Sequence, residues 1–136
     1  MQFVDTNVLL YAVSTAPAEA AKARKARAIL EGSDLALSVQ VLQEFYVQAT
    51  RAGRSGRLSH EQASTLVESW LRFTIQDTTV PLVRAALAAA VQYRVSYWDA
   101  AIIEAARLLE CNLLLSEDLS DGQTYGGVTV ENPFRR

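Results

Sequence analysis

The sequence predicts an α/β fold with a mainly parallel sheet, and three observations carry that reading. Short strand-like runs recur at residues 2–4, 35–37, 74–76, 113–115 and 128–130. Long segments with apolar residues at helical spacing separate most of them. Those segments have the length that a crossover between parallel strands requires.

The elements follow in order. Residues 2–4 are a strand that runs into Asp5. Residues 17–31 are alanine-rich and helical, with Gly32 placed to stop the helix. Leu35 to Leu37 form a buried strand, and Ser38 caps a helix carrying Val41, Leu42, Phe45, Tyr46 and Ala49 on helical spacing. Residues 51–57 (RAGRSGR) are a basic loop. Ser59 and Gln62 have capping-box spacing and open a helix read through Phe73. Residues 74–76 are a third strand; Thr79 with Pro81 starts a helix through the alanine tract to Tyr93. A helix over 97–110, a strand at 113–115 and, after Gly126 and Gly127, a strand at 128–130 complete the chain.

With 136 residues and half of them hydrophobic, the chain is read as a single domain, 1–136, with a core large enough to need no disulfide. Its one cysteine, Cys111, allows no intrachain disulfide. The start MQFVDTN lacks the basic and apolar segments of a secretory signal, and no run approaches membrane-spanning length, so a cytoplasmic location is expected. The net charge of −2 argues against nucleic-acid binding by bulk charge. Locally, Lys22, Arg24, Lys25, Arg27, Arg51, Arg54 and Arg57 gather in the first half, while Glu104, Glu110, Glu117, Asp118 and Asp121 crowd the end.

Four acids occupy places where a parallel α/β fold builds sites, beyond the carboxyl ends of strands. Asp5 ends the first strand; it could be an ordinary turn residue or helix cap, but Thr6 and Asn7 can cap the next turn themselves. Glu44 lies among large apolar residues, where it either faces solvent or must be paired. Asp99 has capping-box spacing from Ser96. Asp118 follows the fourth strand, with Glu117 and Asp121 beside it, in what is otherwise an ordinary polar loop. Carboxylates gathered at one rim repel one another and call for a cation. A set of oxygen donors without histidine or cysteine points to Mg²⁺ or Mn²⁺ and to phosphoryl chemistry. The lone histidine, His60, leaves zinc sites and histidine-based catalysis with little support, and no phosphate-binding glycine motif is present.

Four stretches, in order and at these spacings, resemble the PIN-domain ribonucleases, specifically the VapC-type toxins of type II toxin–antitoxin systems. They are FVDTNVL (3–9), VLQEFY (41–46), YWDAAI (97–102) and LLSEDLSDG (114–122); the tail YGGVTVENPF (125–134) is similar to one branch of the family. The resemblance implies a three-layer fold with a five-stranded parallel sheet flanked by helices. It assigns Asp5, Glu44, Asp99 and Asp118 as the catalytic acids, with Asp121 the alternative for the fourth and Asn7 a supporting contact. It implies metal-assisted hydrolysis of RNA, with Asp5, Asp99 and Asp118 on Mg²⁺ or Mn²⁺ and Glu44 holding a water or a second ion. The other readings are a phosphatase, a DNA nuclease or a PIN-fold binding module without catalysis.

The resemblance further implies a homodimer and a cognate VapB-like antitoxin. Val39, Val41, Leu42, Phe45, Tyr46 and Ala49, with Leu66, Val67, Trp70, Leu71 and Phe73, give two wide apolar stripes. Either both stripes are simply core, the more common case for any one residue, or they leave a groove for a partner helix with Trp70 in the contact, which is the expectation adopted. Arg24, Arg27, Arg51, Arg54 and Arg57 are expected either to line the approach of RNA or to form a solvated helix face and loop.

Overall fold

A computed structural model describes residues 1–135. The chain begins with β1 (Gln2–Val4) and α1 (Thr6–Ala12). A 3-10 turn (Pro17–Glu19) leads into α2 (Ala20–Leu30), followed by β2 (Leu35–Ser38) and α3 (Val39–Ala49). Next come α4 (His60–Trp70), β3 (Thr74–Gln76), α5 (Val80–Tyr93) and α6 (Tyr97–Leu108). The chain closes with β4 (Leu113–Leu115), β5 (Thr124–Tyr125) and β6 (Val128–Glu131).

The sheet has the order β3-β2-β1-β4-β6-β5 and is parallel except for the β5–β6 pair. The chain builds one side of the sheet from β1 through β2 to β3, then returns to place β4 against the free edge of β1. That reversal puts the switch point, and the crevice it opens, between β1 and β4. Phe3, Val4, Ala36, Leu37, Leu114 and Leu115 are buried, as expected of central parallel strands covered on both faces.

Helix starts follow the capping chemistry written in the sequence. The Ser38 hydroxyl accepts from the Val41 amide at 3.2 Å, Thr79 from Leu82 at 3.2 Å and Ser96 from Asp99 at 3.1 Å. Ser59 and Gln62 form the full capping box. α5 and α6 join through Ala86, Ala89, Ala100 and Ala101, small residues that let the helices approach closely. α6 lies against β2, β4 and β6; α1 packs on α2 and α3, and α3 on α4.

Several expectations need correction. The sheet has six strands, because β5 turns back on β6 through Gly126 (φ +53°) and Gly127 (φ +89°). The segment after Asp5, to which the sequence pattern assigns no element, is the seven-residue helix α1. The helix read through Phe73 ends at Trp70, where the Phe73 amide donates to the Trp70 carbonyl and turns the chain into β3. Trp70 is core: it is buried, and its ring meets Phe45 edge-on at 4.7 Å. Val41, Phe45, Ala49 and Phe73 are buried too. The groove between α3 and α4 exists, with a volume of about 420 Å³, but Val39, Leu42, Tyr46, Val47 and Val67 line it. Among the described residues no helix is long and apolar enough to cross a membrane.

Candidate active site

Asp5 stands where β1 ends and α1 begins, and it does two things at once. Its Oδ1 accepts from the Thr6 amide at 2.7 Å, which caps α1. Its Oδ2 accepts from the Ser116 hydroxyl at 2.7 Å. Ser116 follows β4 directly, so this bond crosses the crevice between the two central strands. Helix capping and a site role, set against each other in the sequence, are divided between the two oxygens of one carboxylate.

Asn7, one turn into α1, ties the second half of the rim to the first. Its Nδ2 donates to Asp118 Oδ2 at 3.2 Å and Ser116 Oγ at 3.3 Å, and lies 3.5 Å from Asp5 Oδ2. Its Oδ1 accepts from the Glu117 amide at 3.1 Å. Glu44, half-buried on α3, accepts from the Thr6 hydroxyl at 2.9 Å. Sequence reasoning marks neither Thr6 nor Ser116 as a hydrogen-bond partner of the acids. The one signal for Ser116 is its position two residues before Asp118.

The structure separates the acids of the 116–122 loop. Asp118 faces Asn7 and Asp5. Asp121 turns to the tail, accepting from the Asn132 amide at 2.7 Å and from Arg135 at 3.1 Å. Glu117 accepts from Lys22 at 2.6 Å and from Tyr11 at 2.5 Å. Burial pulls its proton affinity up, but these two donors outweigh it and hold the carboxyl below its ordinary range. Glu104 forms a bidentate ion pair with Arg107 and takes no part in the rim.

Asp99 stands apart from the hydrogen-bonded group. Its amide is capped by Ser96, and its half-buried carboxylate makes no hydrogen bond or ion pair among the described residues. The neighbouring Trp98 carbonyl accepts from Gln40 of α3 at 3.3 Å, one helical turn before Glu44. The structure therefore brings Asp5, Glu44 and Asp118 together, with Asp99 on an adjoining element.

Electrostatics distinguish the acids that share the crevice. Burial raises the Asp5 pKa from 3.8 to about 6; the hydrogen bonds from Ser116 and Thr6 oppose the rise, and the charges of Asp118 and Glu44 add to it. A buried carboxylate facing two others is a place where a cation is stabilised. Every donor is a hard oxygen, and Mg²⁺ commonly takes one or two carboxylates plus waters and phosphate oxygens. The donor chemistry of Asp5 and Asp118 fits that demand. Among the described residues no group of three or more His, Cys, Asp or Glu is arranged to hold a metal by protein ligands alone.

Two clefts flank the acids. One, of about 230 Å³, is lined by Asn7, Tyr11, Gln48, Arg54, Glu117 and Asp118 among others. The second, of about 340 Å³, is lined by Gln40, Gln43, Glu44, Val47, Gln48, Arg51 and Trp98. Gln48 borders both. The five arginines expected to serve one surface divide accordingly. Arg27 is spent on the carbonyls of Ala12 and Ser14, and Arg57 on that of Thr50. Arg51 and Arg54 line the clefts, and Arg24 is exposed on α2.

The model of the PIN domain matches residues 3–120. No curated protein sequence matches the chain. Among solved structures, the chain is similar to a toxin–antitoxin complex from Klebsiella pneumoniae, with a TM-score of 0.73 and 21% identity over 98% of each chain. It is similar to VapC20 of Mycobacterium tuberculosis, described as a sarcin–ricin-loop-cleaving toxin, with a TM-score of 0.69 and 20% identity over 87% of this chain and 90% of that one. It is also similar to VapBC2 from Rickettsia felis, bound to a fragment of promoter DNA, at a TM-score of 0.65 and 17% identity over 96% and 97% of the two chains. At these identities the structural likeness concerns the fold. The family match spans Asp5, Asn7, Glu44, Asp99, Ser116 and Asp118, and by it the chain belongs to the PIN domain family.

Proposed function

We propose that this chain is a divalent-metal-dependent endoribonuclease, acting as the toxin of a toxin–antitoxin pair, and that it hydrolyses RNA phosphodiester bonds at the Asp5 rim. The observation that carries the reading is the Asp5 carboxylate, buried at the end of β1, with Asp118 and Glu44 raising its proton affinity further. Such a group is costly to keep ionised without a cation beside it. The toxin role draws support from the likeness to toxin–antitoxin structures, one of them described as a cleaver of the sarcin–ricin loop. The same reading carries an antitoxin partner, a homodimer and a cytoplasmic site of action.

Asp5, Asp118 and Asp99, whose carboxylate has no partner among the described residues, are the residues assigned to hold Mg²⁺ or Mn²⁺, with Glu44 beside them. When bound, the ion lowers the pKa of an attacking water and offsets charge that develops on the phosphate. Ser116 and the Thr6 amide fix the orientation of Asp5. Asn7 tethers Asp118 through the same amide nitrogen that lies against Asp5. Glu44, held by the Thr6 hydroxyl, stands on the side of the rim that opens toward Arg51 and Trp98.

Mapping of new RNA ends on total RNA, with Mg²⁺ or with chelator, tests this directly. Discrete cleavage that needs both the ion and Asp5 is expected. Cleavage that persists in chelator, or the absence of any cleavage by the wild type, refutes it.

Asn7→Ala gives a graded check. It removes the donor shared by Asp118 and Ser116 and the acceptor of the Glu117 amide. A fall in cleavage of about 10–100-fold is expected, of the size seen when a group that orients a metal ligand is lost. A stability loss of about 1–3 kcal/mol should accompany it, because buried partners are left unsatisfied. Both are read by single-turnover cleavage and thermal melts; unchanged cleavage would show that Asp118 needs no such tether.

A further inference from the structure

We infer that Trp98 is a stacking platform for an unpaired base of the RNA strand. The inference rests on the nuclease reading above and adds to it a substrate-binding residue.

Trp98 is 63% exposed, far more than the fold needs of a tryptophan. The Ser96 cap starts α6 through the Asp99 amide and asks nothing of the side chain at 98. Nor is the residue loosely placed. Its carbonyl is held by Gln40, and the Tyr97 ring meets its ring edge-on at 5.1 Å. An aromatic face is thus presented at the surface from a fixed backbone position.

The surroundings decide between a protein and a nucleotide as its occupant. The other walls of this cleft are the amides of Gln40, Gln43 and Gln48, the Arg51 guanidinium, Val47 and Glu44. Amides read the edge of a base, and an arginine meets its phosphate. The groove between α3 and α4, by contrast, has no arginine or lysine in its lining, where Val39, Leu42, Val47 and Val67 stand beside Tyr46 and Glu68. Trp98 also precedes Asp99, and its cleft shares Gln48 with the cleft at Asn7, Asp118 and Arg54. A strand stacked on Trp98 therefore has a path to the acids past Gln48, with Arg51 lining the first cleft and Arg54 the second. Bases of an intact duplex are already stacked and cannot use the ring.

The experiment uses intrinsic fluorescence, because the only other tryptophan, Trp70, is buried. A short mixed-sequence RNA is titrated in chelator, first single-stranded and then annealed to its complement. Quenching by the single strand and not by the duplex is expected. For the Trp98 variants, which lack the reporter, binding is read from the anisotropy of an end-labelled RNA; Trp98→Ala should weaken single-strand binding by about tenfold, and raise KM similarly with kcat little changed. Trp98→Phe, which keeps a ring, should recover most of that loss. Wild-type affinity and KM in Trp98→Ala overturn the inference while leaving the nuclease reading intact. Loss of antitoxin binding or self-association in that variant, with RNA binding unchanged, overturns it in favour of a protein contact. A wild type that neither binds nor cuts RNA overturns both readings.

Discussion

Asp5→Asn is expected to reduce RNA cleavage by at least about a thousandfold and, in metal-free buffer at pH 7, to raise the melting temperature. Loss of activity follows from removing the central charge of the rim. The gain in stability follows from the same charge. Asp5 holds its proton up to about pH 6 in the fold, against about 3.8 in its ordinary state. Between those values the native state binds more protons than the unfolded chain, so stability falls as pH rises. The contribution of the neutral carboxyl is fully present below about pH 3.8 and is lost as the pH climbs through about 6. A rise of that size corresponds to about 3 kcal/mol. Asparagine resembles the neutral form at every pH, although it forfeits charge-assisted bonds from the Thr6 amide and Ser116. A net gain of about 1–3 kcal/mol is expected, or roughly 3–10 °C. Added Mg²⁺ should raise the melting temperature of the wild type and not that of the variant. Superimposable pH profiles for the two proteins would remove Asp5 from the electrostatic role, and a variant that still cuts RNA would remove it from the catalytic one.

The sequence shows the frame of this molecule because its frame is built from local rules. Ser38, Ser59, Thr79 and Ser96 each cap the helix that their spacing marks. What escapes reading depends on partners distant in the chain. β5 is two residues long, too short for any periodicity, and exists only because Gly126 and Gly127 fold it onto β6. α1 has seven residues and is covered from outside by α2 and α3, so its pattern alone is weak. The site divides in the same way. That acids follow strand ends can be read from order alone. That Asp118 rather than Asp121 faces Asp5 cannot, since the two lie three residues apart in one polar loop. Asn7 and Asn132, more than a hundred residues apart, part them by hydrogen bonding one acid each. Asp99, proposed as a metal ligand, has no hydrogen-bonding partner for its carboxylate among the described residues, which no pattern of spacing would reveal.

Trp70→Glu should prevent folding rather than weaken one interface. The sequence pattern places Trp70 in an apolar stripe wide enough to leave a docking surface, yet the ring is 4% exposed and packs edge-on against Phe45 between α3 and α4. Truncating a buried aromatic of that size to alanine costs about 3–5 kcal/mol. Glutamate adds the cost of a carboxylate with no partner in an apolar setting, against a total stability of about 5–15 kcal/mol for a typical domain. The expected result is insoluble or unfolded protein, read from soluble yield, circular dichroism and thermal melts. Val47→Glu is the matched control: Val47 is 60% exposed at the edge of the remaining groove, so its melting temperature should stay within a few degrees of the wild type. The pair separates folding from binding. A partner that binds through this groove is disturbed by Val47→Glu in a folded protein, whereas loss of binding by Trp70→Glu reports only the loss of the core. A Trp70→Glu protein that melts cooperatively near the wild-type temperature would show that the α3–α4 contact repacks around a charge, and would return Trp70 to the surface.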